Sequence, residues 1–340
     1  MRTLPTIITI VALSFLVGCN GTSQKPGASG KEKTLLTVDF QEGQALQYKF
    51  ASSREIEVEW EPGAGQSKSG KRPGDKFSES MEMVMTYTPV KADPYGLTSV
   101  KGTCDSVKVT RSKGTVGRGG TKDAVEYLPG KSFTLTVGPT GKIEDYSELE
   151  KLIHEIGNYA FREQSNRGKI KDPDMTSDFI TTQWFLWDSI STIEDPQKGV
   201  EVGQSWKSKL PIPAPMPVML RRGRDVTYTL AEIQQGAKGQ LAVIKSSYAP
   251  AESVPESWPI PYSGSFQMAG TFGFLRGYKI MNLQGEGEEL FNLDSGRVER
   301  RSQHYQTQLE ALLPMPLSVN PRVTIKQNLT MELLKGPSSN

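Results

Sequence analysis

The stretch FSESMEMVMTY, residues 77–87, has the clearest periodic pattern in the chain. Met81, Met83, Met85 and Tyr87 occupy alternate positions, with polar side chains between most of them. Since successive side chains of a β-strand point to opposite faces, this period of two predicts a strand with one buried face. The methionines would also suit a soft-metal or adaptable ligand surface, but at this spacing we interpret them as part of a core.

Segments of the same type lie on both sides of this stretch. They are residues 35–40, 46–50, 55–60, 97–100, 106–110 and 133–137, and later 200–210, 225–232, 240–247, 266–274, 277–285, 288–293, 297–306 and 322–334. Turn-forming residues separate them, and Gly141 stands where a hairpin needs a positive φ. The pattern predicts antiparallel strands on short connections.

Between the two β regions the period changes to that of a helix. Ser147 and Glu150 have the spacing of a capping box, in which each side chain binds a backbone N–H of the first turn. The apolar face of this helix consists of Leu149, Leu152, Ile153, Ile156 and Ala160. Residues 175–190 predict a second helix, with Phe179, Ile180, Trp184 and Trp187 at helical spacing. We expect the two helices to form an insertion or cover.

The two β regions also share short motifs in the same order. In the first, Gly43-Gln44 precedes Tyr48-Lys49, and in the second, Gly203-Gln204 precedes Trp206-Lys207. Each region ends in a glycine hairpin, at Gly141 and at Gly296. Matches in the same order predict a duplicated β unit.

We therefore predict a mainly β fold, a β-rich α+β structure with antiparallel sheets in two related units and a two-helix insertion between them. The predicted boundaries are 34–146 for the first unit, 147–193 for the helical insertion and 194–336 for the second unit. Residues 337–340 are predicted to form a disordered tail. A body of about 300 residues can bury its own core without disulfides.

The N-terminal segment predicts an export signal. Residues 4–17 form a mostly apolar run of about 14 residues. This run is shorter than the roughly 18 residues needed to span a bilayer, and its length suits a signal peptide. Residues 16–19, Leu-Val-Gly-Cys19, resemble the lipobox of bacterial lipoproteins. The resemblance implies that residues 1–18 are removed and that the Cys19 thiol carries diacylglycerol. The alternative is an uncleaved apolar helix in which Cys19 is incidental.

The residues after Cys19 fit this reading. Residues 19–33 are rich in Gly, Ser, Pro and Lys, a composition that predicts a flexible tether. In the sorting rule of enteric bacteria, Asp after the lipidated cysteine retains a lipoprotein in the inner membrane, and here that position is Asn20. We therefore expect a lipid-anchored protein of the cell envelope, with the outer membrane favoured over the inner membrane.

Longer motifs resemble a family of uncharacterised bacterial lipoproteins. They are the spacing Phe40, Gly43, Tyr48 and Phe50, the hairpin GKSFTLTVGPTGKI at 130–143, and VGQSW at 202–206. The resemblance implies an exported, lipid-anchored, β-rich protein. That family has no established activity or functional residues, so it implies nothing about chemistry.

Charge and cysteine content restrict the partners. The chain has 40 Lys and Arg against 38 Asp and Glu, and removal of residues 1–18 takes away one basic residue, Arg2. A nearly neutral chain has no general attraction for nucleic acid, so we expect no nucleic-acid partner. With Cys19 lipidated, Cys104 is the only thiol left, and no intrachain disulfide can form.

Motifs for catalysis are weak. His154 and His304 are not in a metal-ligand spacing, and the glycines of 114–120 and 138–142 lack the order of a phosphate-binding loop. We therefore predict no metal site, no cofactor and no catalytic residues. The acidic groups Glu144/Asp145, Glu148/Glu150 and Glu286/Glu288/Glu289 would serve a hydrolase only if they flanked a cleft. The basic groups Lys68/Lys71/Arg72/Lys76, Arg111/Lys113/Arg118/Lys122 and Arg221/Arg222/Arg224 suit either an anionic surface or scattered solubilising charge.

The leading functional hypothesis is a lipid-anchored envelope lipoprotein with a non-enzymatic role in binding, carriage or assembly. Its partners would be the membrane, reached through the N-terminal lipid, and an envelope protein or an apolar ligand. A second hypothesis is a carrier in which curved sheets enclose an apolar ligand beneath the helix that holds Phe179, Trp184 and Trp187. A third is an envelope hydrolase that uses carboxylates.

Overall fold

The computed structural model describes residues 33–60, 75–112, 122–162, 169–213, 223–253, 258–262, 264, 266–269, 277–313 and 320–336. The predicted signal peptide, Cys19, the tether up to residue 32 and the predicted tail at 337–340 lie outside these residues. From Glu32 onward the chain clusters as one compact unit.

Strands dominate this unit. They are β1 Lys33–Thr34, β2 Leu46–Glu59, β3 Asp75–Ala92, β4 Thr98–Arg111, β5 Ser132–Val137, β6 Ile143–Asp145, β7 Ile170–Lys171, β8 Val200–Glu201, β9 Ser205–Pro211, β10 Gly223–Gly236, β11 Gly239–Ala251, β12 Gln267–Met268, β13 Gly277–Asn292, β14 Arg297–Leu312 and β15 Arg322–Lys335. The helices are α1 Ser147–Gly157, α2 Thr176–Phe185 and α3 Asp188–Ser191. The prediction of a β-rich fold with a helical insertion between two antiparallel regions is confirmed.

Eleven strands form one antiparallel sheet in the order β6-β5-β4-β3-β2-β15-β14-β13-β11-β10-β9. Strands β2 to β6 of the first region, and β9, β10, β11, β13, β14 and β15 of the second, each follow the chain as a meander, while β12 pairs with β7 in a separate two-stranded sheet. The two meanders join where β2 pairs with β15, with Phe50 opposite Met331. Strands β6 and β9 are the two edges of this open sheet. The predicted units therefore share one sheet, and their origin by duplication remains a prediction.

Alternation within the strands produces one buried face, which we call the inner face. On β3, Met81, Met83 and Met85 are each 0% exposed, which confirms that they belong to the core. Predicted strands 97–100 and 106–110 are both parts of β4, because the polar residues between them continue the ladder with β3.

One predicted strand, at 35–40, is wrong, and the strand predicted at 200–210 is divided into β8 and β9, which belong to different sheets. Residues 35–40 form no strand but cross the ends of two hairpins, where the Val38 N–H donates to the Pro139 carbonyl (3.2 Å) and the Asp39 N–H donates to the Gly296 carbonyl (3.1 Å). We call residues 35–40 the strap. A Cβ atom on Gly296 would collide with the Asp39 backbone nitrogen, so this hairpin position requires glycine for the close approach.

The first helix begins differently from the prediction. Ser147 is the first helical residue and makes no capping box with Glu150; instead its backbone N–H donates to Asp145 Oδ1 at 2.9 Å. A capping box does occur where Asp123 and Glu126 close a single 3₁₀ turn at Ala124–Tyr127. The predicted apolar face of α1 is buried throughout.

The inner face carries two apolar clusters. The first lies between the sheet and the helices and includes Phe50, Met83, Phe179 and Phe185. The second lies at the end of the sheet where β2 finishes and β15 begins, and its members are Ile56, Val58, Phe77, Met268, Tyr278, Leu309, Ala311, Val323 and Ile325. No helix of the described part of the chain contributes to the second cluster. Polar side chains lie between the two clusters.

Candidate ligand site on the inner face of the sheet

The segment that contains α2 and α3 is fixed to strands of both regions by buried hydrogen bonds. Asp178 accepts from Ser52 of β2 (2.6 Å), and the Tyr87 hydroxyl of β3 donates to Gln183 (2.7 Å). Farther along, Ser189 donates to Glu289 of β13 at 2.7 Å. The helical insertion, which was predicted to form a cover, is therefore hydrogen-bonded to the inner face of the sheet.

The first of three buried arginines, Arg54 of β2, is paired with acids on two sides. Its guanidinium lies 2.7 Å from Glu79 and 2.7 Å from Asp178. Burial raises the pKa of Asp178 in spite of Arg54. Burial acts in the same direction on Glu79, but Arg54 and Arg111 outweigh it and hold the pKa of Glu79 below its ordinary value. This group ties α2 to the sheet.

Arg301 of β14 is the centre of a second group. Its Nε lies 3.2 Å from Glu289, and it also donates to the Phe185 carbonyl (2.6 Å). Asp188 accepts from the Tyr228 hydroxyl (2.5 Å) and from Ser208 (2.8 Å). Burial raises the pKa of both Asp188 and Glu289, although Arg301 opposes this shift.

Arg224 of β10 has a different environment. It is 0% exposed, and its guanidinium carbon lies 4.9 Å from the Tyr248 ring centre and 4.3 Å from that of Tyr305. Its Nη2 donates to Gln303 Oε1 at 2.9 Å, while Nε and Nη1 have no hydrogen-bond partner in the described part of the chain. Arg224 also makes no ion pair with any carboxylate in the described part of the chain.

Other polar atoms on the same face also lack partners among the residues described. They are Gln303 Nε2, Tyr305 Oη, Thr307 Oγ1 and Gln327 Oε1. Burial raises the pKa of Tyr305 to about 12, so its hydroxyl keeps its proton and remains a donor. Most native buried polar groups are paired, which makes a group of unpaired atoms around one arginine a candidate binding site.

Two glycines of β13 make room for this site. A Cβ atom on Gly287 would lie 2.5 Å from the Tyr248 hydroxyl and 2.6 Å from Ser246 Oγ. At Gly285 it would collide with Tyr305. The two tyrosines can therefore lie against β13 only because these inward positions have no side chain.

A further charged cluster lies beside α2. Asp123 pairs with Arg111, and Lys171 lies 2.5 Å from Asp174, which also accepts from the Tyr262 hydroxyl. Burial, reinforced by the charge of Asp174, raises the pKa of Asp123 to about 6. Burial would raise the pKa of Asp174 as well, but Lys171 outweighs it and lowers that pKa.

The two histidines lie apart from these groups. His154 is exposed on α1, and His304 is exposed on the outer face of β14. His304 borders an open cleft of about 620 Å³ whose other side chains include Glu55, Gln284, Glu286 and Lys326. No group of three or more His, Cys, Asp or Glu side chains in the described ranges is arranged to hold a metal ion.

Cys104 is buried and free. Its Sγ lies 3.7 Å from the Ser106 carbonyl. Burial, and to a smaller extent the charge of Asp105, raises the pKa of the thiol to about 12. The protonated thiol is a poor nucleophile, so Cys104 acts as a small core residue.

The acidic groups singled out in the sequence do not converge. Glu286 and Glu288 are exposed on the outer face of β13, while Glu289 is buried on the inner face with Arg301. The other acids are mostly engaged at the surface: Glu144 pairs with Lys142, Asp145 binds the Ser147 N–H, and Glu148 accepts from the Thr134 N–H.

The basic groups divide between surface and interior. Lys76 and Lys122 are exposed, but Arg111 pairs with buried acids and Arg224 is completely buried. Arg224 therefore does not belong to an exposed basic patch, because its strand position faces inward. Lys68, Lys71, Arg72, Lys113, Arg118, Arg221, Arg222 and the glycine-rich stretch at 114–120 lie outside the described residues.

Comparisons with known proteins return only weak likenesses. No family model and no curated protein matches the chain. Among solved structures it is similar to lipovitellin, in a structure of lipid–protein interactions, with 10% identity and a TM-score of 0.41 over 89% of this chain and 26% of lipovitellin. The chain thus spans about a quarter of that protein. An outer membrane channel from Pseudomonas putida F1 gives 7% identity and a TM-score of 0.18 over 87% of this chain and 97% of the channel. Both TM-scores are too low to support an argument about function.

No helix in the described ranges is long and apolar enough to cross a membrane.

Proposed function

We propose that this protein is a lipid-anchored lipoprotein of the bacterial cell envelope that binds and carries an apolar or amphipathic ligand without catalysis. Its partners would be a membrane, through lipid on Cys19, and the ligand on the inner face of the sheet. The Leu-Val-Gly-Cys19 motif supports the anchor, and Asn20 favours the outer membrane.

The observation that carries the binding role is the second apolar cluster. It occupies the inner face of an open sheet, where Phe266 and Trp60 pack against it and no helix of the described ranges contributes to it. Polar side chains border it on the side of α2. An apolar cluster beside a few convergent polar groups has the composition that is usual for a small-molecule site.

Two experiments test this function. Metabolic labelling with palmitate should mark the wild-type chain and not Cys19→Ala; equal labelling of both, or labelling of neither, would contradict the anchor. The full chain carrying Cys19→Ala, purified without detergent, should bind oleyl alcohol saturably and near one to one. Failure to bind this probe, together with no co-purifying lipid in native mass spectrometry, would contradict the carrier role.

A further inference from the structure

We infer that the ligand carries a single acidic group and that the buried Arg224 guanidinium binds it. This inference rests on the proposed function, because it specifies the chemistry of the ligand at that site. The class of ligand is a long-chain amphiphile with one carboxylate.

The first step is the missing counter-charge. Three arginines are buried on the inner face, and Arg54 and Arg301 each have a carboxylate within 3.2 Å. Arg224 has none among the described residues, although it is the most deeply buried of the three. An unpaired buried charge is expensive by several kcal/mol, so a fold that keeps one has a use for it.

The nearby carboxylate does not fulfil this role. Asp188 feels the charge of Arg224 only at a distance, and its two oxygens are engaged by Tyr228 and Ser208. The Tyr248 and Tyr305 rings lie beside the Arg224 guanidinium, with their centres 4.9 Å and 4.3 Å from its carbon. Only the in-plane donors Nε and Nη1 remain for another group.

The second step is the balance of donors. Gln303 and Tyr305 contact Arg224, Thr307 is the next inward residue of β14, and Gln327 lies opposite Tyr305 on β15. Their unpaired atoms are three that can donate, Gln303 Nε2, Tyr305 Oη and Thr307 Oγ1, and one that can only accept, Gln327 Oε1. A guanidinium presents adjacent N–H groups that match the two oxygens of a carboxylate. A donor-rich site around one positive charge therefore fits a monoanion better than a neutral or cationic headgroup.

The third step is the position along β14. Gln303, Tyr305 and Thr307 are successive inward residues, and the next two inward residues are Leu309 and Ala311 of the second apolar cluster. At about 3.3 Å per residue, the polar site and this cluster are neighbours on one strand. An acidic group at Arg224 thus leaves an attached hydrocarbon chain beside apolar side chains.

The test compares ligands that differ only in charge or chain. Wild type should bind oleate at least tenfold more tightly than oleyl alcohol, and acetate or inorganic phosphate should bind far more weakly than oleate. Arg224→Gln should lose the preference for oleate while still binding the alcohol. The control Arg300→Gln removes an exposed charge of β14, the strand that carries Gln303 and Tyr305, and should behave as wild type.

The outcomes separate this inference from the carrier role. Equal binding of oleate and oleyl alcohol by wild type would overturn the inference and leave the carrier role standing. Binding of neither would contradict the carrier role and the inference together. Tight binding of acetate or phosphate alone would show a site for a free anion and overturn the assigned ligand class.

Tyr305→Phe keeps the test decisive if Arg224→Gln fails to fold. It removes one unpaired hydroxyl without changing the ring, so the melting temperature without ligand should stay the same or rise. Oleate affinity should fall severalfold while the affinity for oleyl alcohol is unchanged. An unchanged oleate affinity would mean that this hydroxyl meets only buried water, and it would overturn the inference.

Discussion

Arg54, Arg224 and Arg301 occupy inward positions of their strands, where each is at most 2% exposed. Arg54 lies between Ser52 and Ile56, and Arg301 follows Val298 across a register shift with β13. A buried charge must be paired or bound, because its water is lost on folding. Each of these arginines therefore needs a polar partner on the inner face. Arg54 and Arg301 have carboxylates, and Arg224 has none among the described residues.

At the residue scale, loss of a buried cation should be far more costly than loss of an exposed one. Arg301→Met leaves the buried Glu289 carboxylate without its cation and should lower the free energy of unfolding by about 3–5 kcal/mol. Lys49→Met breaks the exposed pair with Glu82 and should cost less than about 1 kcal/mol. Urea unfolding monitored by tryptophan fluorescence measures both. Equal losses would show that Glu289 does not depend on Arg301.

Asp123 should make stability depend on pH. Its pKa in the folded protein is about 6 against an ordinary value of 3.8, so between these values the folded state holds a proton that the unfolded state has released. The free energy of unfolding then falls as pH rises through this window. Asp123→Asn does not titrate, so its stability relative to wild type should rise by roughly 2 kcal/mol between about pH 4 and pH 7. A constant difference between the two proteins across this range would contradict the raised pKa.

At the scale of the elements, strands were predictable and their ends were not. Alternation identified the inward row of β3, because period two is a property of the strand itself. Burial of Arg224 was not predicted, because three arginines close in sequence suggest a basic patch. Arg224 nevertheless lies two and four residues before the inward residues Val226 and Tyr228, so the period of two places it on the same inward face. The capping box at Ser147 failed because Asp145, two residues earlier, supplies the acceptor.

The strap depends on one hairpin glycine. Gly296 has φ 58° and lies against the Asp39 backbone, whereas Gly203 has φ 91° with nothing within 4 Å of an added Cβ. Gly203→Ala should cost only the left-handed backbone strain of about 1–2 kcal/mol. Gly296→Ala should cost more and should expose the Val38 and Asp39 amides. Hydrogen exchange of these amides, compared with thermal unfolding of both variants, measures the difference. Unchanged protection in Gly296→Ala would show that the strap does not rely on this contact.

At the scale of the whole molecule, the two predicted units should unfold together. The β2–β15 pairing and the bonds from α2 and α3 connect strands of both regions. Met83→Ala in the first region should cost about 2–5 kcal/mol, and Val226→Ala in the second a smaller amount. Each should shift a single transition seen alike by circular dichroism and by fluorescence. Two separate transitions, or a shift of one probe alone, would mean that the units are independent.

The strap also determines how the body would respond to a pull. The described chain enters through β1, whose two residues pair with Glu201 and Val200, and continues directly into the strap. A load applied at the N-terminus reaches these few backbone hydrogen bonds before it reaches any strand of the large sheet. If the N-terminus were held and pulled, the strap would peel away first and act as a mechanical fuse, because the connection would lengthen while the large sheet stays intact.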